Sequence, residues 1–260
     1  MTARRLYEDR GPLAFRHRSA LKLLTTGNAK TPKGEALGYF SAILYLAPHT
    51  SGGGPTVCPY STQACRDMCP SGSGVGGLPI QTLARKNRVA LMHADPTTFL
   101  RNLVLDIDKL AQLAEEEGLV PVVRLNGTSD LMWERTHPII FASFPAVRFM
   151  DYTKVPLEFR HKAPANYHLT FSHGGRDDAA RSVEYLGDGR SVAAVVDEAQ
   201  KAALLERGYL GRFRYVDGDE HDLRFLDPPG SIVLLKPKGR VITSLLRPAL
   251  DEELGAALYG

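Results

Sequence analysis

The sequence predicts an α/β fold: a single-domain, TIM-barrel-like partial (β/α) barrel of mostly parallel strands. Three observations predict it. Short apolar runs alternate with helix-like segments, the runs are apolar on both faces as buried parallel strands are, and ionisable residues follow nearly every run. The first strand candidate is Phe40–Leu46 (FSAILYL). Two helical patterns follow, Leu83–His93 and Thr97–Glu117, with Asp95-Pro96 as a start signal and Gly118 as a stop. Next come the strands Pro121–Leu125, Arg148–Tyr152, Tyr167–Phe171 and Ser191–Val196, separated by helical patterns at Pro138–Phe144 and Asp177–Tyr185. The helix Glu198–Arg207 leads to the last two strands, Arg212–Val216 and Ser231–Leu235. No obvious helix joins that last pair, so the closing part is expected to be irregular or antiparallel. The expected division is a basic extension over 1–34, the barrel-like domain over 35–245 and a tail over 246–260.

Composition bounds the function. With 32 Lys+Arg against 29 Asp+Glu the net charge is +3, which suits a phosphate-bearing partner but falls short of a DNA-coating protein. Arg4, Arg5, Arg10, Arg16, Arg18 and Lys22 form either a local basic patch or a solvated face. No apolar stretch is long enough to span a membrane, and Met1–Arg18 lacks the apolar core of a secretory signal, so a cytoplasmic location is expected.

The polar groups after the strands mark the carboxyl edge, where parallel α/β folds place their active sites. They are Asn126–Asp130, Asp151–Lys154, Ser172–Arg176, Asp197-Glu198, Asp217–His221, Lys236 and Lys238. The alternative is that loops are polar in any case. The cysteines stand after the first strand, and all three, Cys58, Cys65 and Cys69, fall in one C-x6-C-x3-C segment between the glycine-rich runs Ser51–Gly54 and Ser71–Gly77. An odd number of cysteines rules out a fully paired disulfide framework within the chain. Three thiolates on one loop suit a [4Fe-4S] cluster with its fourth iron open to a ligand, and glycines let backbone approach it closely. Zinc is the competing reading, with His49 or His93 as a fourth ligand, although neither cysteine gap is the usual two residues. Ordinary buried cysteines are the third.

The segments Tyr39–Pro48 (YFSAILYLAP), Val123–Glu134 (VRLNGTSDLMWE), Asp151–Lys154 (DYTK), Asn166–Ser172 (NYHLTFS) and Asp217–Pro228 (DGDEHDLRFLDP), with the cysteine loop, resemble the phage and mobile-element "gene product 88" domain family across most of residues 35–240. More distantly, three cysteines after the first strand of a partial barrel resemble radical S-adenosylmethionine enzymes. That resemblance implies that Cys58, Cys65 and Cys69 hold the cluster and that Asn126–Asp130 stands where the S-adenosylmethionine amino group binds. The chain departs from the usual C-x3-C-x2-C spacing, carries Met68 where an aromatic is usual, and has no Gly-Gly-Glu after the second strand.

Other residues carry paired readings. Asp217, Asp219, Glu220, His221 and Asp222 either bind a metal or supply a general base, with Asp219 and His221 as catalytic candidates, or form a solvated acidic turn. Asp130 is a ligand or catalytic residue, or a helix cap. Asn126, Thr128, Asp130, Asp151 and Lys154 are the cofactor-binding candidates. Arg124 is expected to point into the barrel and to need a carboxylate or an anionic ligand there. His168 is a core histidine or a pocket residue. Nothing resembles a G-x-S-x-G elbow or a Walker loop. The expectation is an iron–sulfur enzyme of radical type, with an electron donor, acting on a nucleotide or nucleic acid. Two alternatives stand beside it: an open-iron Lewis-acid enzyme, and a non-catalytic nucleic-acid-binding protein with a structural metal.

Overall fold

The computed structural model describes residues 21–26, 31–72, 74–160, 162–237 and 250–259. Arg4 to Arg18 and Lys238 lie outside them. The described chain is a mixed α/β domain around one nine-stranded sheet. Its strands are β1 (Leu24–Thr25), β2 (Tyr39–Leu44), β3 (Val120–Arg124), β4 (Arg148–Thr153), β5 (Tyr167–His173), β6 (Val192–Val195), β7 (Tyr209–Leu210), β8 (Phe213–Asp217) and β9 (Ile232–Leu235). The order across the sheet is β1-β2-β3-β4-β5-β6-β9-β8-β7, parallel throughout except for the two-residue strands at each edge. The predicted α/β class and mostly parallel sheet are therefore observed. No helix among the described residues is long and apolar enough to cross a membrane.

From β2 to β6 each strand pairs with the next one in sequence, so every step runs the same way across the sheet. Right-handed crossovers, the rule for parallel strands, then place all those connections on one face. The helices are α1 (Thr31–Ala36), α2 (Gln63–Asp67), α3 (Pro79–Ala94), α4 (Pro96–Glu116), α5 (Trp133–Thr136), α6 (Pro138–Ser143), α7 (Ala179–Gly187), α8 (Glu198–Arg207) and α9 (Leu250–Tyr259). Helix α4 shows why the crossover faces are legible. Pro96 sits in its first turn, the Asp95 carboxylate accepts the Thr98 N–H (3.0 Å), and Gly118 ends it with φ 68°. Phe99, Leu103, Ile107 and Leu110 form its buried stripe against Phe40, Leu44 and Val123. Asp106 lies in the same stripe because its carboxylate accepts the backbone N–H groups of Lys22, Leu23 and Leu24, which pins edge strand β1. Helix α3 starts at Pro79 rather than Leu83, since proline is preorganised for a first turn.

The step from β8 back to β9 runs in the opposite sense, which puts its connection on the other face. That connection is irregular and parallel-pairing, with a single 3-10 turn at Arg224–Leu226. Its Leu223 and Phe225 pack on Tyr39, Val122 and Met150, the apolar part of the face away from α4, where Gly34 of α1 also comes close to Leu223. At the C-terminal end, α9 packs on α7, and Glu253 lies 3.0 Å from His173 Nε2, whose Nδ1 lies 3.0 Å from Ser182 Oγ. Strand β1 and helix α9 thus join the body of the domain from the stretches expected as extension and tail.

The turn after β3 runs so close to β2 that Gly127 has no room for a side chain: a Cβ there would sit 2.5 Å from Ile43 Cγ2 and 2.8 Å from the Leu44 carbonyl oxygen. Gly127→Ala is expected to destabilise the domain by about 2–3 kcal/mol in equilibrium urea unfolding. Gly187→Ala, at an exposed helix end with nothing within 4 Å, is expected to stay within about 0.5 kcal/mol of the parent.

Candidate functional site

After β2 the chain turns at His49, whose φ of 53° is a left-handed value that histidine tolerates better than most residues. The turn aims the His49 N–H at Cys58 Sγ (3.4 Å), while the Val57 N–H returns to the His49 carbonyl (3.1 Å). Cys58 Sγ in turn donates to the Thr128 carbonyl (3.7 Å). Thr62 caps α2 by accepting the Cys65 N–H (3.2 Å), so Cys65 falls in the first helical turn. Cys69 follows the helix with its sulfur 3.2 Å from Ser71 Oγ. Arg85, buried on α3, donates to the Ser71 (3.1 Å) and Gly76 (2.8 Å) carbonyls and fixes the coil beyond it.

Two of the glycines beside this loop serve the protein's own packing: a Cβ at Gly52 would meet Val89 at 2.7 Å, and one at Gly76 the Pro70 carbonyl at 2.9 Å, whereas Gly53 and Gly72 face open space.

The three thiols are half-buried, free of disulfides and electrostatically joined. Burial, with smaller help from the charges of Asp130, Cys65 and Cys69, pushes the Cys58 thiol up to about 12 against the His49 N–H. Burial also raises Cys65, opposed by Lys154 and reinforced by Cys69 and Asp130. Arg85 lies in the field of Cys69. Among the described residues no three His, Cys, Asp or Glu side chains gather closely enough to hold a metal ion. The His49 ring turns to Thr50 Oγ1 (3.1 Å), and the His93 ring fills the space beside Gly54. A cubane asks for a looser set than zinc does, because each sulfur sits on its own iron. The Cys58 sulfur accepts one N–H, Cys65 lies in the field of Lys154, and Cys69 in that of Arg85.

Beneath the loop lies a buried polar brace. Arg160, completely buried, donates to Asp130 Oδ1 (3.0 Å), Glu134 Oε2 (3.2 Å) and the Leu131 carbonyl (3.2 Å). The second Asp130 oxygen accepts the Lys154 N–H (2.8 Å), and the Asp130 N–H reaches back to the Val57 carbonyl (2.8 Å), one residue before Cys58. Asp151 accepts the Asn126 N–H (2.8 Å) and the Tyr167 hydroxyl (2.7 Å). The Asn126 amide accepts from Ser129 Oγ and the Leu131 N–H, and Thr128 donates to the Leu46 carbonyl (2.6 Å). Lys154 Nζ donates to the Ser172 carbonyl (2.6 Å) and Asp178 Oδ2 (2.7 Å). The structure therefore brings Asn126, Thr128, Asp130, Asp151 and Lys154 together, bound to one another, to backbone and to Tyr167, Arg160, Asp178 and Ser129.

The Asp217–Asp222 segment forms a separate group on the same carboxyl edge. Lys201, buried on α8, donates to Asp217 and to Asp219 Oδ2 (2.8 Å), which also accepts the Lys236 N–H (3.0 Å). Burial raises the Asp217 carboxyl, yet the Lys201 bond and charge and the Asp219 N–H leave it below its ordinary range. His221 Nδ1 accepts the Leu223 N–H (3.2 Å), and Asp222 pairs with Arg124 (2.7 Å). Tyr45 lies between the two groups, within the fields of Arg124, Asp222 and Arg85. An apolar cleft of about 330 Å³, with Pro59, Met92, Phe99, Leu100, Trp133 and His137 in its wall, borders the cysteine loop through Pro59. Arg160 and Lys201 escaped the sequence reading. The carboxylate partners of each lie 16 to 30 residues away, with no local signal.

The chain matches the family model described as gene product 88 over residues 22–251. No curated protein matches it, and no solved structure does.

Burial raises the carboxyls of Asp130, Glu134 and Asp151, the last to about 6, against Arg124 and its hydrogen-bond donors. An unfolded aspartate titrates near about 4, so between about 4 and 6 the folded state binds more protons and stability falls as pH rises through that window. Buried His168, lowered to about 4, has the opposite slope there, so the Asp151 contribution is read by difference: between pH 5 and pH 7, scanned by calorimetry, the parent's melting temperature is expected to lose ground relative to that of Asp151→Asn.

Proposed function

The chain belongs to the gene product 88 family, and on that footing we propose that it is an iron–sulfur enzyme in which Cys58, Cys65 and Cys69 hold one [4Fe-4S] cluster at the carboxyl edge of the sheet. The observation that carries the reading is the cysteine loop: three disulfide-free thiols in one field, on a loop tied down at Val57 and Thr128 by a buried ionic brace. A cluster held by three cysteines supplies an iron with an open coordination position. The protein's own residues then do the rest. The His49 N–H steadies one sulfur, Arg85 and Lys154 offset negative charge, and the brace keeps the loop from collapsing onto the sheet.

Two uses of the open iron divide this reading. The radical one takes S-adenosylmethionine as cosubstrate, a nucleotide or nucleic acid as substrate and an external electron donor. It draws on the placement of the cysteines after a strand of a consecutively wound sheet. The second takes a substrate directly on the iron as a Lewis acid. It draws on the turn Asn126–Asp130, whose polar groups are engaged within the protein rather than presented to a ligand's amino group.

Anaerobic purification with iron, sulfide and zinc analysis tests the cluster. About four irons and four sulfides per chain are expected, with broad visible absorption, all lost in the Cys58→Ala/Cys65→Ala/Cys69→Ala protein. Stoichiometric zinc, or a colourless metal-free protein, contradicts the reading. Titration of the cluster-loaded protein with S-adenosylmethionine then separates the two uses.

A further inference from the structure

The buried polar atoms that lack a hydrogen-bond partner are not spread evenly. Of thirteen such atoms among the described residues, seven belong to Arg124, Tyr152, His168, Thr170, Arg224 and Asp227. Register places Arg124, Tyr152, His168 and Thr170 on the same face of neighbouring strands, since Met150 pairs with His168 and Tyr152 with Thr170. This is the face away from the long helices. Arg224 and Asp227 come from the one connection that the reversed β8-to-β9 step throws across it, and the 3-10 turn at Arg224 packs on β5.

The six belong to one neighbourhood. The Arg124 guanidinium lies 5.2 Å over the Tyr152 ring, and Tyr152 feels the charges of Arg224 and Asp227 as well. Thr170 is fully buried with its hydroxyl unpartnered, and Arg224, 2% exposed, has Nε unpartnered while its Nη1 pairs with Asp227 Oδ2 at 3.1 Å. Buried orphans of this kind cost stability unless something fills the place.

The chemistry of the orphans says what fits. Arg224 Nη1 and the Asp227 oxygen offset one another; of the rest, Arg124 Nε and Arg224 Nε can only donate, and the Tyr152 and Thr170 hydroxyls and His168 Nε2 can donate or accept. Donors outnumber acceptors, and guanidinium edges match planar or tetrahedral oxyanions. We propose that this face binds the oxyanion group of a small molecule, a carboxylate or a phosphate, between Arg124, Tyr152, Thr170 and Arg224. The site goes beyond the cluster reading and stands whether or not the cysteine loop carries iron. The Arg124–Asp222 pair, with side chains 12% and 20% exposed, is its least buried part.

Calorimetric titration of the full chain with inorganic phosphate and with malonate, in a buffer free of both, tests it. One saturable site is expected for at least one anion. Tyr152→Phe and Thr170→Val are each expected to weaken it about tenfold or more, the loss of one hydrogen bond to a charged group. Both variants remove only an unpartnered hydroxyl, so their melting temperatures are expected to match or exceed the parent's, which separates lost binding from lost folding. A response to phosphate alone assigns a phosphorylated ligand, and a response to malonate alone a carboxylate. Silence towards both anions, or undiminished binding in both variants, overturns the proposal and leaves water as the occupant.

Discussion

The structure depends on one buried cation. Arg160 brings a guanidinium into a place with no solvent and is compensated there by Asp130, Glu134 and the Leu131 carbonyl. Removing a charge from water costs several kcal/mol, and the attraction offsets it only when geometry and extra hydrogen bonds are good. That condition fixes the turn after β3, because Asp130 must meet both Arg160 and the Lys154 N–H. The fixed turn in turn holds the cysteine loop through Val57 and Thr128. A contact between two loop segments thereby positions three thiols that have no regular sheet pairing of their own.

Winding direction supplies the second constraint. Consecutive steps from β2 to β6 send their connecting helices to one face and leave the other without them. The single reversed step from β8 to β9 covers that other face with an irregular segment bearing Asp222, Arg224 and Asp227. The two faces therefore differ in chemistry. The helix side carries two large apolar clusters, while the opposite side mixes a small apolar cluster with charged groups. Reactive groups of both kinds meet at the carboxyl edge, where Tyr45 stands between Arg85 and the Arg124–Asp222 pair.

Much of this was legible because buried parallel strands and amphipathic helices write local patterns. Helix α4 was readable to within a residue from Asp95-Pro96 and Gly118, and β3 to β5 from their apolar runs. Strands β1 and β7 were not, since two residues pair only because a neighbour offers an edge. The roles of the site residues were harder still. Sequence shows that Asn126, Asp130 and Asp151 are polar and follow strands; it does not show that Tyr167, Arg160 and backbone N–H groups will use their acceptors. The space at Gly52 was illegible for the same reason, since the neighbour that needs it is Val89, 37 residues on. Long-range partnership is where a single sequence stops being informative.

The cysteine loop carries the central claim, and Mössbauer spectroscopy of protein loaded with ⁵⁷Fe under anaerobic conditions tests it most directly. The account predicts a four-iron cluster in which one iron, the one without a cysteine, is distinguishable from the other three. A mononuclear iron spectrum, or no bound iron after loading, would contradict it.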